Sequence, residues 1–92
     1  MQITELIWDR WNEDHIARKS ISRFDVEAVL SGEVHRPLIE KSRQGTLAVW
    51  GVSTGGDYLL VILSPHGKGS YYPVTARRME DREKRRYQKW LK

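Results

Sequence analysis

An α+β fold is predicted by three features of the chain: two capped helical segments behind a short apolar run, then two apolar runs flanking a glycine turn, and finally a long stretch without Gly or Pro. The 92 residues suffice for one domain, 1–92, with a single modest core. Gln2 to Trp8 is rich in Ile, Thr and Leu and reads as an opening strand. Asp9 is placed to cap a helix running to about Lys19, on which Asn12, His15 and Lys19 share one face beside Trp8, with Arg18 on its flank. Ser22 and Asp25 have the spacing of a capping box, and Ile21 and Val26 that of a hydrophobic staple, so a second helix starts there. Phe24, Val26, Val29 and Leu30 give it apolar surface, and Gly32 ends it near Ser31.

Strands follow. His35 to Lys41 forms one after Pro37, and Thr46 to Ser53 and Asp57 to Ser64 flank Thr54-Gly55-Gly56 as a hairpin. Tyr58 to Leu63 is apolar throughout, which predicts a central strand covered on both faces. Pro65 to Ser70 reads as a turn and Tyr71 to Thr75 as a further strand, near an edge at Pro73. The expected order is a strand, two helices, a mostly antiparallel β-meander and a final basic helix.

That last element, Ala76 to Lys92, holds eight of the sixteen Lys and Arg but three of the twelve Asp and Glu. One basic element on a nearly neutral body is the asymmetry of a chain that meets a polyanion, with nucleic acid the first candidate. At helical spacing Arg78, Arg82, Arg85 and Lys89 form a basic stripe, while Ala76, Met79, Tyr87, Trp90 and Leu91 gather opposite. Glu83 falls on the face to be buried. It either accepts backbone hydrogen bonds and pairs with Arg77, Arg86 or another cation, or it orients a phosphate-binding arginine; the two are compatible. The stripe is either a binding face or a solvated one.

Without cysteine there are no disulfides or thiolate zinc sites, and the three His lack metal-ligand spacing, so no metal or other cofactor is expected. No signal-like or membrane-spanning apolar run is present in the sequence, which makes cytoplasmic the default reading and a membrane partner unexpected.

Several residues, taken in order, resemble the BrnT group of bacterial toxins. They are Trp8-Asp9, then His15-Ile16-Ala17-Arg18-Lys19-Ser20-Ile21-Ser22 leading into Val26-Glu27-Ala28-Val29, then Gly51, Gly55 and Gly56. Tyr71-Tyr72-Pro73-Val74-Thr75-Ala76-Arg77, running into Arg82-Glu83 and Tyr87, completes the series. The chain departs from the group at Arg18-Lys19-Ser20, where many members carry Lys-His-Gly, and at Asp57, where a basic residue is common. The resemblance implies a RelE-like ribonuclease fold, RNA as substrate, and a cognate antitoxin with a ribbon-helix-helix domain. It leaves a homo-oligomer open.

The chemistry so implied is metal-independent cleavage, in which the ribose 2′-hydroxyl attacks the adjacent phosphorus and cations stabilise the added charge. Arg77 is the candidate to hold the scissile phosphate, with Glu83 orienting it. His15, with a reference pKa of about 6.5, is the candidate for proton transfer, whereas Lys19, at about 10.4, is better suited to binding phosphate. Arg18, Arg78, Arg82, Arg85, Arg86 and Lys89 are the expected RNA contacts. For His15 the alternative is a helix histidine bonded to Asp or backbone and packed on Trp11 or Trp8. For Arg77 it is an ordinary ion pair. A second class of function, a non-catalytic module that binds RNA or an acidic partner through its basic helix and exposed aromatics, stays open.

Overall fold

The computed structural model describes residues 3–92. Along the chain lie β1 (Glu5–Leu6), α1 (Arg10–Ala17), α2 (Arg23–Ser31), β2 (Leu38–Lys41), a 3₁₀ turn (Arg43–Gly45), β3 (Leu47–Val52), β4 (Tyr58–Pro65), β5 (Ser70–Arg78) and α3 (Asp81–Leu91). The strands form one sheet in the order β1-β5-β4-β3-β2, antiparallel except where β1 runs parallel to β5. The predicted α+β class and its order of elements are those of the structure. The opening strand is shorter than expected, and Gln2, assigned to it above, lies outside the described residues.

Local chemistry explains the helix starts. Asp9 has an extended backbone and accepts the Asn12 N–H at 2.9 Å, while Asn12 Oδ1 accepts the Asp9 N–H at the same distance. Asn12 also donates to the Ile7 carbonyl at 3.0 Å, so it is fully buried and ties the end of β1 to α1. Ser22 and Asp25 exchange hydrogen bonds in the same way, with Ile21 and Val26 together in the core beneath. Gly32 closes α2 in the left-handed region, at φ +73°, which a Cβ would strain.

Strand alternation divides the core into two halves. Leu47, Val49, Leu59, Val61, Leu63 and Ala76 face Ile16 of α1 and Val26 and Val29 of α2. Trp50, Val52 and Leu60 face Tyr87 of α3, with Met79, Trp90 and Leu91 packed around them. The sheet is therefore the middle layer, and β4 lies at its centre, covered on both sides as its unbroken apolar run requires. Tyr87 has no exposed surface and donates its hydroxyl to the Arg36 carbonyl at 2.7 Å.

Two expectations are corrected, on the start of the last helix and on Phe24, while the expected edge at Pro73 stands, because β1 pairs with β5 only as far as Tyr71. Ala76, Arg77 and Arg78 belong to β5, paired with Val61, Leu60 and Leu59, and helix begins only at Asp81. Pro73 is buried within β5 opposite Leu63, and Thr75 pairs with Ile62, so the register slips by one residue at Val74. Such a bulge accommodates a residue that has no N–H to donate. Phe24, expected to help bury α2, is 72% exposed.

Candidate functional site

The cations of the C-terminal segment fall into two groups. Arg77 donates from both terminal nitrogens to Glu83, each at 2.8 Å, and Glu83 also accepts the Glu80 N–H at 2.8 Å. That carboxylate, whose side chain is 17% exposed, is held down from 4.5 to about 2, mainly by the Arg77 hydrogen bonds and then by the Glu80 N–H. Arg78 points to the other side of the sheet, where it donates to the Lys19 carbonyl at 2.6 Å and, more weakly, to that of Ser20, and it lies 3.7 Å from Asp57. Those carbonyls end α1 beside Ser20, whose φ of 60° is unusual for a residue with a Cβ. Arg86 pairs with Glu40 at 3.2 Å and lies over the Trp50 ring, whose Nε1 donates to the same carboxylate. Glu40 is thereby held below the usual carboxylate range, chiefly by Arg86.

Arg77, Arg78 and Arg86 are thus engaged within the fold, and the Glu83 contact is the pairing that the sequence allowed for Arg77. Arg78 is also not on the helix, so the four-residue stripe is reduced to Arg82, Arg85 and Lys89. Among the described residues these three form no ion pair or side-chain hydrogen bond, and they project from the outer face of α3.

A different surface opens on α1. Because its inward face carries Asn12 and Ile16, the positions just before them, Trp11 and His15, face outward one turn apart. Their rings stack at 5.1 Å between centroids with 7° between planes, and Trp11 remains 61% exposed. Arg10, Asp14 and Arg18 run alongside at steps of four residues, and these five side chains enclose a cleft of about 340 Å³. Neither arginine has a carboxylate partner among the described residues, so two guanidinium groups face one carboxylate. His15 and Arg18, at the C-terminal end of α1, also sit where the helix dipole favours positive charge. Chemically the cleft offers a flat aromatic surface, a histidine that can carry a proton, and two anion-binding groups.

The structure therefore brings His15 and Arg18 together, with exposed Lys19 just beyond the helix end. It does not bring them together with Arg77 and Glu83: Arg77 pairs with Leu60 and faces α3, whereas α1 covers the opposite side of the sheet. Asn12, expected on the polar face with His15, is instead a buried structural residue. Three members of the cleft, Arg10, Trp11 and Asp14, were not picked out by the sequence as site residues. Their signal was there: Trp11 precedes His15 by four residues, and Arg10 and Arg18 flank Asp14 at the same step.

Among the described residues no group of three or more His, Cys, Asp or Glu is gathered as a metal site, and no helix is long and apolar enough to cross a membrane. Compared with known proteins, the chain matches no family model, and none of the curated proteins matches it in sequence.

Proposed function

We propose that this protein binds single-stranded RNA along the outer face of α1. The observation that carries the reading is the exposed Trp11 ring, stacked parallel to His15 beside two arginines that have no carboxylate partner among the described residues. An aromatic face accepts any base, guanidinium groups neutralise the flanking phosphates, and together they define a single-strand site. Asp14 limits how closely a phosphate approaches the middle of the cleft, which favours a base over Trp11 and phosphates at the two ends. Titration with oligouridylate should quench tryptophan fluorescence, and Trp11→Ala should remove the response while leaving the circular dichroism spectrum unchanged. Arg18→Ala should lower the salt slope of log K by about 0.7, the value for one phosphate contact on a single strand. Unaltered binding in both variants would refute the assignment.

His15 favours a more specific form of this reading, the BrnT-like ribonuclease toxin suggested by the sequence. Its imidazole would take the 2′-hydroxyl proton as the 2′-oxygen attacks phosphorus, and as the P–O5′ bond breaks the departing 5′-oxygen would take a proton from water, which the imidazolium then restores, giving a 2′,3′-cyclic phosphate and a 5′-hydroxyl end. Arg18 and Lys19 would stabilise the added negative charge. In this form Arg77 and Glu83 support the fold and do not touch the phosphate. His15→Ala should then abolish cleavage and growth arrest but retain RNA binding, and a 2′-deoxy substitution at the scissile position should block cleavage. Absence of cyclic-phosphate products from the native protein would leave the binding role alone. An antitoxin would have the free face of α3 available, where Arg82, Arg85 and Lys89 suit an acidic segment.

A further inference from the structure

A second aromatic and histidine pair lies beyond the first turn of α1. Tyr72 and His66 stack at 5.5 Å between centroids with 29° between planes. The Tyr72 hydroxyl donates to both carboxylate oxygens of Asp9, at 2.9 and 3.0 Å, which fixes the ring against the residue that caps α1. His66 is exposed and stands at the mouth of a tight turn, where its N–H meets the Ser70 carbonyl at 2.8 Å. Gly67 and Gly69, at φ +104° and +80°, shape that turn and present Lys68 at its tip, exposed and without a partner among the described residues. The pairing of β1 with β5 stops at Tyr71, so among the described residues no strand covers the β5 edge from Tyr72 onward.

We infer that the His66 and Tyr72 pair, with Lys68, is a second base-stacking position on the same RNA path, so that the ligand is a single strand long enough to run from the β4–β5 turn to Arg18. The inference rests on the proposed RNA-binding role of α1 and adds to it the direction and extent of the bound strand. Continuity comes through Asp9: it touches Tyr72 and stands two residues before Trp11, and His15 lies only about 9 Å further along the helix axis. Pre-organisation adds to the argument, because a ring whose hydroxyl is already shared between the two oxygens of Asp9 loses little freedom when a base stacks on it. Asp9 repels phosphate but not a base, and its oxygens are already occupied by the Asn12 N–H and the Tyr72 hydroxyl. Lys68 supplies the phosphate contact on the far side.

The test uses oligouridylates of about 4 and about 12 nucleotides, both within the range of about 4–16 for single-strand sites. Binding is measured by fluorescence anisotropy with the native protein, Trp11→Ala, His66→Ala, His66→Tyr and Lys68→Ala. His66→Ala should weaken the longer strand roughly 5- to 150-fold, the effect of losing one stacked base. It should leave the shorter strand, seated on Trp11, unaffected. His66→Tyr should keep the native affinity for both, since it retains a stacking ring. Equal affinity of native and His66→Ala protein for the longer strand, with Trp11→Ala still impaired, would overturn the second position alone. Failure of the native protein to bind either strand would overturn it together with the role of α1.

Discussion

Replacing Glu83 by glutamine removes one charge and almost no volume, and it tests whether the Arg77 pair stabilises the junction of β5 and α3. The carboxyl is drawn from 4.5 to about 2 by Arg77 first and the Glu80 N–H second, against a smaller opposing effect of burial. At about 1.4 kcal/mol per tenfold change in proton affinity, this corresponds to roughly 3 kcal/mol. Arg77 keeps 39% of its side chain in solvent, and screening on that side lowers the expectation to about 2 kcal/mol. Glutamine still accepts the Glu80 N–H through its single carbonyl oxygen, so the helix cap survives while the charge and one of the two Arg77 hydrogen bonds are lost. The folded-state pKa is the lower one, so the contribution is whole above about pH 4.5 and is lost as pH falls through about 2. Urea unfolding followed by circular dichroism should show Glu83→Gln less stable by about 2 kcal/mol near neutrality, or roughly 8–16 °C in melting temperature for a domain of this size. The gap between the two proteins should narrow steadily as pH is lowered below about 4.5. A gap that stays constant with pH, or no gap at neutrality, would refute the reasoning.

Four further substitutions probe other parts of the fold, each read by thermal or chemical unfolding. Ser20→Gly should stabilise by about 0.5–1 kcal/mol, because Ser20 holds φ 60° at the end of α1, and a loss of stability would mean that the conformation carries no strain. Gly51→Ala should cost about 1–3 kcal/mol, since its Cβ would stand 2.8 Å from Val29 Cγ1 at the contact of β3 with α2; a neutral result would show that α2 shifts freely. Trp11→Ala should change stability by no more than about 0.5 kcal/mol although it removes the larger ring. Tyr87→Phe, which deletes a single oxygen, should cost about 1 kcal/mol by leaving the Arg36 carbonyl unpaired, and a reversed order of these two would contradict the burial described above.

Signals within a few residues of one another were readable in advance. The Ser22 and Asp25 exchange, the Asp9 cap, the Gly32 stop and the Thr54-Gly55-Gly56 hairpin are all local, and each stands where the sequence placed it. The end of β5 was not readable in this way. Arg77, Arg78 and Met79 favour helix by propensity, but partners in β4 hold the chain extended as far as Arg78, and such pairing outweighs propensity. Glu80 is also a poor N-cap residue by type, so the true start of α3 carried little mark in the sequence. The candidate site suffered from a related error of phase. Reading Asn12, His15 and Lys19 as one polar face presumed that asparagine points to water, whereas it is spent on the cap of α1 and the Ile7 carbonyl, which turns Trp11 outward. Likewise, nothing in the order of residues shows that the sheet stands between His15 and Arg77. That separation follows from the pairing of Arg77 with Leu60.

The partnership of β1 with β5 joins Glu5 to Ser70. A ribosome must release the residues from Glu5 through Ser70 before β1 finds its neighbour, so that edge contributes contact order far out of proportion to its length. The β3–β4 hairpin, closed over a few residues, is free to form early, while the amino-terminal segment docks late and on a sheet already assembled. Native-state hydrogen exchange should accordingly find the amides of Thr4 and Ile7, bonded to Gly69 and Tyr71, opening well before those of Val49 and Val61.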